Sequence, residues 1–171
     1  MSTKHQGLHL LENGEETWSL PLPDDLAYVV GTSGTTGQPK LVFATRRAIK
    51  ANVDHLIHQL RLDRSELIAV TSPLSFDPAL LDLFLAAELD CDVVVLPRSV
   101  RASPGRLRQS LRKHPPSFMQ ATPSLLAFLG PEFLRDHLLH PSSRLRSLLI
   151  GGEAFPARFL RPLLPEASDL R

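Results

Sequence analysis

The sequence predicts an α/β fold in which a mostly parallel sheet carries helices on its faces. Short apolar runs rich in β-branched residues, such as residues 67–71 and 92–96, have the length of buried strands. Segments with helical spacing of apolar residues separate these runs, and strands that alternate with helices form parallel βαβ units. Turns rich in glycine follow two of the strands. Because α/β proteins bind ligands at strand ends, these turns are candidate sites.

The expected elements follow one another with recognisable start signals. Residues 1–24 lack a clear period and end in a proline-rich stretch, so we expect an irregular lead-in there, followed by a single domain over residues 25–171. Thr45 and Ser103 are favoured N-cap residues in front of periodic apolar segments. The expected strands are 26–30, 41–44, 67–71, 92–96, 117–121 and 146–150, and the expected helices are 45–60, 78–89, 104–113 and 123–130.

Composition limits the classes of function. The chain has 171 residues, 43% of them hydrophobic and 22% charged, which is normal for a globular domain. A net charge of +1 supplies no bulk attraction to nucleic acid or membranes, and the basic stretch 98–113 is interpreted as a solvated helix face. The single cysteine, Cys91, excludes an internal disulfide and fits a reducing compartment. The polar opening lacks the apolar core of a signal peptide, so we expect a cytoplasmic protein.

Two histidine pairs are weak candidates for metal ligands. His55 and His58, like His137 and His140, stand three residues apart on expected helices. Two ligands on one helical turn can begin a zinc site, but no cysteine or third close ligand accompanies either pair. We therefore expect no metal site from these residues.

The stretch TSGTTGQPK at residues 32–40 combines hydroxyl groups, glycines and one lysine. Donor groups without bulk, together with a single cation, suit a polyanion such as a nucleotide phosphate chain. A Walker P-loop is excluded because Gln38 and Pro39 separate Gly37 from Lys40. A dinucleotide-binding fingerprint is excluded by the glycine spacing. An ordinary flexible linker is the remaining alternative, and two flanking strand-like runs argue against it.

This stretch is similar to the phosphate-binding signature of the adenylate-forming (AMP-dependent synthetase/ligase) superfamily. Lys40 is followed by Leu41 where that family usually has glycine. The resemblance implies an ATP-binding protein that uses Mg²⁺, and a chain that forms part of the large N-terminal subdomain of an adenylation domain. It also implies which residues contact the ATP phosphates: Thr32, Ser33, Gly34, Thr35, Thr36, Gly37 and Lys40.

Asp77 lies in a second stretch that resembles the family, SPLSFDP at residues 72–78. Helix capping alone would explain both Asp77 and Pro78, since Asp is a favoured N-cap and Pro is favoured at the first helical position. The resemblance implies a second role, because the matching aspartate of amino-acid-activating members pairs with the substrate's ammonium group. Both interpretations stay open at this point, and they are compatible.

Gly151, Gly152 and Glu153 follow the last expected strand and form the third match. A plain strand-to-helix turn is the alternative. The resemblance implies that Gly151 lines the substrate pocket and that Gly152 and Glu153 line the adenine pocket. The segment 120–124 matches the family's strand, turn and helix before that site, or is simply a threonine-capped helix.

Together these matches imply ATP-dependent activation of a carboxylate as its acyl-adenylate. The pattern is closest to members that activate β-alanine, so the expected substrate is β-alanine or another amino acid. The acyl group then passes to a phosphopantetheine thiol on a carrier domain. The family's Tyr-Gly-x-Thr-Glu segment, whose glutamate helps hold Mg²⁺, does not follow Glu153. We therefore expect a truncated adenylation domain that is inactive alone. The alternative is a non-catalytic short product that binds nucleotide or a partner.

Overall fold

The computed structural model describes residues 7–12, 15–21, 24–32 and 40–154. The chain divides into two compact units, residues 1–52 and 53–171. The predicted domain over residues 25–171 stays a prediction.

The first strands lie where we expected an irregular lead-in. Strands β1 (Gly7–Glu12) and β2 (Glu15–Pro21) pair antiparallel, with Leu8 opposite Leu20 and Leu10 opposite Trp18. The expectation is therefore corrected for these residues. The missed signals are the alternation of apolar residues in both runs and the Asn-Gly dipeptide at 13–14, which is typical between the strands of a hairpin.

Two further strands flank the glycine-rich stretch, as predicted. Strand β3 (Leu26–Thr32) pairs antiparallel with β4 (Lys40–Thr45), and Thr32 stands opposite Lys40. Helix α1 (Arg46–Leu60) begins directly after β4. Thr45 Oγ1 accepts a hydrogen bond from the Ala48 backbone N–H at 3.2 Å, which confirms the predicted N-cap.

The second unit is built on a parallel sheet of four strands in the order β6-β5-β7-β8. Its strands are β5 (Leu67–Val70), β6 (Asp92–Val95), β7 (Phe118–Ala121) and β8 (Ser147–Ile150). The further helices are α2 (Asp77–Leu89), α3 (Arg98–Arg101), α4 (Pro104–Lys113), α5 (Pro123–Leu129) and α6 (Pro131–Phe133), which continues into a π-helical turn, Leu134–Leu138. The predicted α/β class with a parallel sheet and flanking helices is confirmed.

Helices cover both faces of this sheet. Met119 packs in a core cluster with Leu107 of α4 and Leu126 of α5. Gln120 points to the opposite face because side chains alternate along a strand, and it contacts Asp82 of α2. Helix α2 therefore covers the face opposite α4 and α5. Helices on both sides leave the ends of the strands as the accessible places for ligands.

Candidate functional site

The carboxyl ends of β5, β7 and β8 lie side by side because these strands are neighbours in the sheet. The Thr71 hydroxyl, directly after β5, donates a hydrogen bond to the Gln120 carbonyl oxygen at 2.7 Å. The Gly151 N–H, directly after β8, donates to the Ala121 carbonyl oxygen at 3.2 Å. These bonds join the three strand ends into one edge, where the expected site residues of this unit are found.

Glu153 holds the turn after β8 against the start of α5. Its Oε2 accepts hydrogen bonds from the Ser124 backbone N–H at 3.0 Å and from the Ser124 hydroxyl at 2.5 Å. These two bonds lower the pKa of the Glu153 carboxyl below its usual value. Thr122 caps the same helix by accepting from the Leu125 N–H at 3.2 Å. Sequence reasoning missed this capping role of Glu153, and its place in an adenine pocket stays a prediction.

The two glycines of this turn differ in whether the structure requires glycine at their position. Gly152 adopts φ +82°, a conformation that L-residues adopt only with strain, and a Cβ there would lie 3.5 Å from Thr122 Cγ2. Gly151 is exposed, and a Cβ added to it would meet no atom within 4 Å. The positive φ therefore explains Gly152, whereas neither conformation nor packing requires glycine at Gly151, whose backbone is open to a flat or bulky ligand.

Asp77 is exposed at the first residue of α2. The N-cap of this helix is Phe76, and no side chain caps it. The capping interpretation of Asp77 is therefore wrong, because the helix begins one residue earlier than capping by this side chain requires. Within the described part of the chain, the Asp77 carboxylate has no hydrogen bond or ion pair. An exposed carboxylate that no described residue contacts is available to a cationic group of a ligand.

A buried polar pair lies directly beneath this helix start. Asp82 is 1% exposed, and its Oδ1 accepts a hydrogen bond from Gln120 Nε2 at 2.6 Å. The same Nε2 lies 3.4 Å from the Pro78 carbonyl oxygen, so Gln120 ties the first turn of α2 to the end of β7. Burial raises the pKa of Asp82 to about 7, although the Gln120 hydrogen bond acts in the opposite direction. Sequence reasoning missed this pair; its signal is a single acid within the apolar run of α2.

The expected phosphate loop belongs to the first unit, which precedes the sheet strands β5–β8 in the sequence. Thr32 is the last residue of β3, and the exposed Lys40 is the first residue of β4, its antiparallel partner. The residues between them that were expected to bind phosphate lie outside the described residues: Ser33, Gly34, Thr35, Thr36 and Gly37. The phosphate-binding role of the loop stays a prediction.

The described residues contain neither a metal-binding cluster nor a membrane-spanning helix. No group of three or more His, Cys, Asp or Glu side chains could hold a metal ion there. His137 and His140 are instead hydrogen-bonded to Arg112 and Ser142, respectively. No helix among these residues combines the length and the apolar character needed to cross a bilayer.

A parallel sheet with helices on both faces, and with glycine and the Asp77 carboxylate at its carboxyl edge, is typical of α/β proteins that bind ligands at strand ends. The chain belongs to the AMP-binding enzyme family, whose sequence profile matches residues 4–168. This confirms the resemblance to adenylate-forming enzymes.

Two curated relatives and one solved structure illustrate the family. The beta-alanine-activating enzyme of Homo sapiens is 37% identical over 147 residues, which cover 85% of this chain and 13% of that protein. The L-proline–(L-prolyl-carrier protein) ligase of Pseudomonas fluorescens is 36% identical over 149 residues, which cover 87% of this chain and 30% of the ligase. O-succinylbenzoate coenzyme A synthetase of Bacillus subtilis, in complex with ATP and magnesium ion, shares the fold with a TM-score of 0.67 at 24% identity, over 81% of this chain and 27% of that one. The chain thus spans less than a third of each of these proteins.

Proposed function

We propose that this chain is the part of an ATP-dependent adenylation domain that binds the ATP phosphates and the amino end of an amino-acid substrate. The reaction joins a carboxylate oxygen to the α-phosphorus of ATP and releases pyrophosphate, leaving an acyl-adenylate. The observation that carries the proposal is Asp77, an exposed carboxylate at the carboxyl edge of a parallel sheet with no hydrogen bond or ion pair among the described residues. Membership of the AMP-binding family supplies the reaction class.

The phosphate loop has the donor chemistry that ATP requires. Residues 32–37 supply hydroxyl groups and backbone N–H groups and include no side chain bulkier than threonine, and Lys40 adds a positive charge. In the proposed reaction these groups stabilise the negative charge that develops on the leaving pyrophosphate. Bound Mg²⁺ would neutralise further negative charge on the phosphates. The described residues contain no cluster of three or more His, Cys, Asp or Glu side chains to which the ion can be assigned.

We propose an amino acid, with β-alanine as the first candidate, as the substrate. Asp77 would accept the ammonium group, and the open backbone at Gly151 would adjoin the carbon chain. One relative is named for β-alanine and another for L-proline, so both substrates carry an amino group. The name of the proline ligase also supports a carrier protein as the acceptor, for which we propose a phosphopantetheine thiol. The single cysteine supports the cytoplasm as the location.

The test compares two acids that differ only in their amino group. Calorimetric titration of the chain with β-alanine and with propionate, each in the presence of Mg-ATP, isolates the ammonium contact. Asp77→Asn should weaken β-alanine binding by roughly 10–100-fold, the loss of one charge-assisted hydrogen bond. Propionate binding should be unchanged. Asp92→Asn, which alters another exposed carboxylate, is the matched control.

Three outcomes decide between the candidate functions. Equal weakening of β-alanine and propionate would contradict an ammonium contact at Asp77. Amino-acid-dependent exchange of pyrophosphate into ATP by the chain would establish adenylation and overturn the expectation that it is inactive alone. ATP binding that is lost in Lys40→Ala, without exchange of pyrophosphate, would favour a non-catalytic nucleotide-binding product.

A further inference from the structure

We propose that the second unit has another ligand site, a cleft at the amino edge of its sheet that binds a small oxyanion. We define this α4 cleft by Leu111, Arg112, Phe133, His137, His140 and Arg144, which line it. It has a volume of about 430 Å³, within the range of small-molecule sites. The proposal is independent of the function proposed above.

The α4 cleft lies at the opposite end of the strands from Asp77 and Gly151. Its walls include the segments directly before β7 and β8, at residues 115–116 and 140–144. In a parallel sheet all the amino ends share one edge, and four-residue strands separate the two edges by about 13 Å. A ligand in the α4 cleft would therefore be distinct from one at the carboxyl edge.

Arg112 is the central cation of the α4 cleft, and its orientation is set by two aromatic neighbours. Its guanidinium carbon lies 5.2 Å from the Phe133 ring centroid, and its Nε donates a hydrogen bond to His137 Nε2 at 3.2 Å. The Phe133 and His137 rings themselves lie 5.0 Å apart. Among the described residues Arg112 forms no ion pair and donates no other hydrogen bond. Both terminal N–H₂ groups thus remain for a ligand, and a planar guanidinium binds carboxylate or phosphate through two parallel bonds.

A second wall adds donors on the segment before β8. His140 Nδ1 accepts from the Ser142 backbone N–H at 3.2 Å and lies 2.7 Å from the Ser142 hydroxyl. In the neutral ring the proton is therefore on Nε2, which is a donor. Arg144 supplies a further guanidinium, one of whose N–H₂ groups donates to the Ser65 carbonyl oxygen at 3.0 Å. This wall thus offers cationic and N–H groups to an anion.

The acid in the α4 cleft does not cancel its positive charge. Asp136 is the only acid among the lining residues, and it forms an ion pair with Arg135 at 2.9 Å. The two arginines of the lining, Arg112 and Arg144, outnumber this one carboxylate. Apolar side chains, among them those of Leu111, Phe133 and Leu138, form a further part of the lining. Cations beside apolar walls suit a small organic acid or a phosphate monoester, both of which present oxyanion oxygens.

The π-helical turn Leu134–Leu138 is an independent sign that this region is specialised. It carries Asp136 and His137 into the lining of the cleft. π-Helical turns account for well under about 1% of residues and occur frequently at functional sites.

The test is an NMR titration of the ¹⁵N-labelled chain with inorganic phosphate and, separately, with benzoate. The proposal expects saturable shifts of the Arg112 Nε–H and of the His137 and His140 rings with at least one of the two probes. Arg112→Gln should weaken binding at least tenfold. Arg98→Gln, which removes an exposed arginine outside the cleft, should leave binding unchanged.

Each arm of this titration has a definite meaning. Saturation with phosphate alone identifies a phosphorylated ligand, and saturation with benzoate alone identifies an apolar carboxylate. Ring shifts of His137 and His140 that survive Arg112→Gln would overturn the proposal. The absence of saturable shifts at these side chains would also overturn it, if the probe reaches about 10 mM, a concentration above the dissociation constant of a weak specific site. Phosphate binding to the loop at residues 32–40 would be recognised by its loss in Lys40→Ala, without effect on the Arg112 signal.

Discussion

The burial of Asp82 should make the stability of this protein fall as pH rises through the neutral range. The folded chain raises the pKa of this carboxyl from 3.8 to about 7, so between these values the folded state keeps a proton that the unfolded state has lost. The stabilisation is complete below the unfolded pKa and disappears as pH rises through the folded one. Three pKa units at 1.36 kcal/mol each make the whole effect about 4 kcal/mol. About 2–3 kcal/mol of it should be lost between pH 5 and pH 8.

Asp82→Asn isolates this effect because asparagine cannot ionise but keeps an oxygen to accept from Gln120 Nε2. Urea unfolding can be monitored by circular dichroism at several pH values. As pH rises, the free energy of unfolding of the wild type should decrease relative to that of the variant. At pH 5 the variant should be the less stable protein, since its amide N–H₂ replaces Oδ2, an atom with no partner in the described structure. At pH 8 the difference should shrink or reverse.

The comparison also needs a carboxylate that is not buried. Asp92→Asn changes an exposed residue of β6 and should give a pH profile parallel to that of the wild type. If the wild type and Asp82→Asn give parallel profiles from pH 5 to pH 8, Asp82 does not retain its proton in the folded chain. The burial argument would then be refuted.

Two further predictions concern the turn after β8 and the amino edge of the sheet. Gly152→Ala should cost about 1 kcal/mol in a urea titration because its φ of +82° strains an L-residue, whereas Gly151→Ala should be nearly neutral; equal costs would contradict the conformational argument. Arg146→Ala should cost about 3 kcal/mol, because it removes the ion-pair partner, at 2.8 Å, of Glu66, which is 3% exposed. Adding Glu66→Gln to Arg146→Ala should recover part of that loss, and no recovery would mean that the arginine acts through packing.

Local signals in the sequence predicted three helix N-caps correctly and failed for Asp77. Thr45, Ser103 and Thr122 each accept a hydrogen bond from the backbone N–H three residues later, at 3.2, 3.5 and 3.2 Å. Capping involves only neighbouring residues, so the residue type and the following periodic segment suffice to predict it. The motifs also predicted the family, because a long signature with strict spacing retains its meaning without knowledge of the fold.

Contacts between distant residues could not be predicted in the same way. Glu153 and Ser124 are separated by 29 positions, and Asp82 and Gln120 by 38, so their contacts depend on which strands are neighbours. The pattern of apolar residues predicts strands but not the order β6-β5-β7-β8.

By itself, then, the sequence determined the family, the α/β class and the positions of most elements, since each depends on local chemistry or on a motif. The tertiary structure decided that Asp77 has no capping role and that Asp82 is buried beneath it. It also decided that Arg112 and His137, which are 25 positions apart, share a cleft at the far edge of the sheet. Burial and the proximity of charges are properties of the packed chain, because they arise only when helices from separate parts of the sequence meet on one sheet.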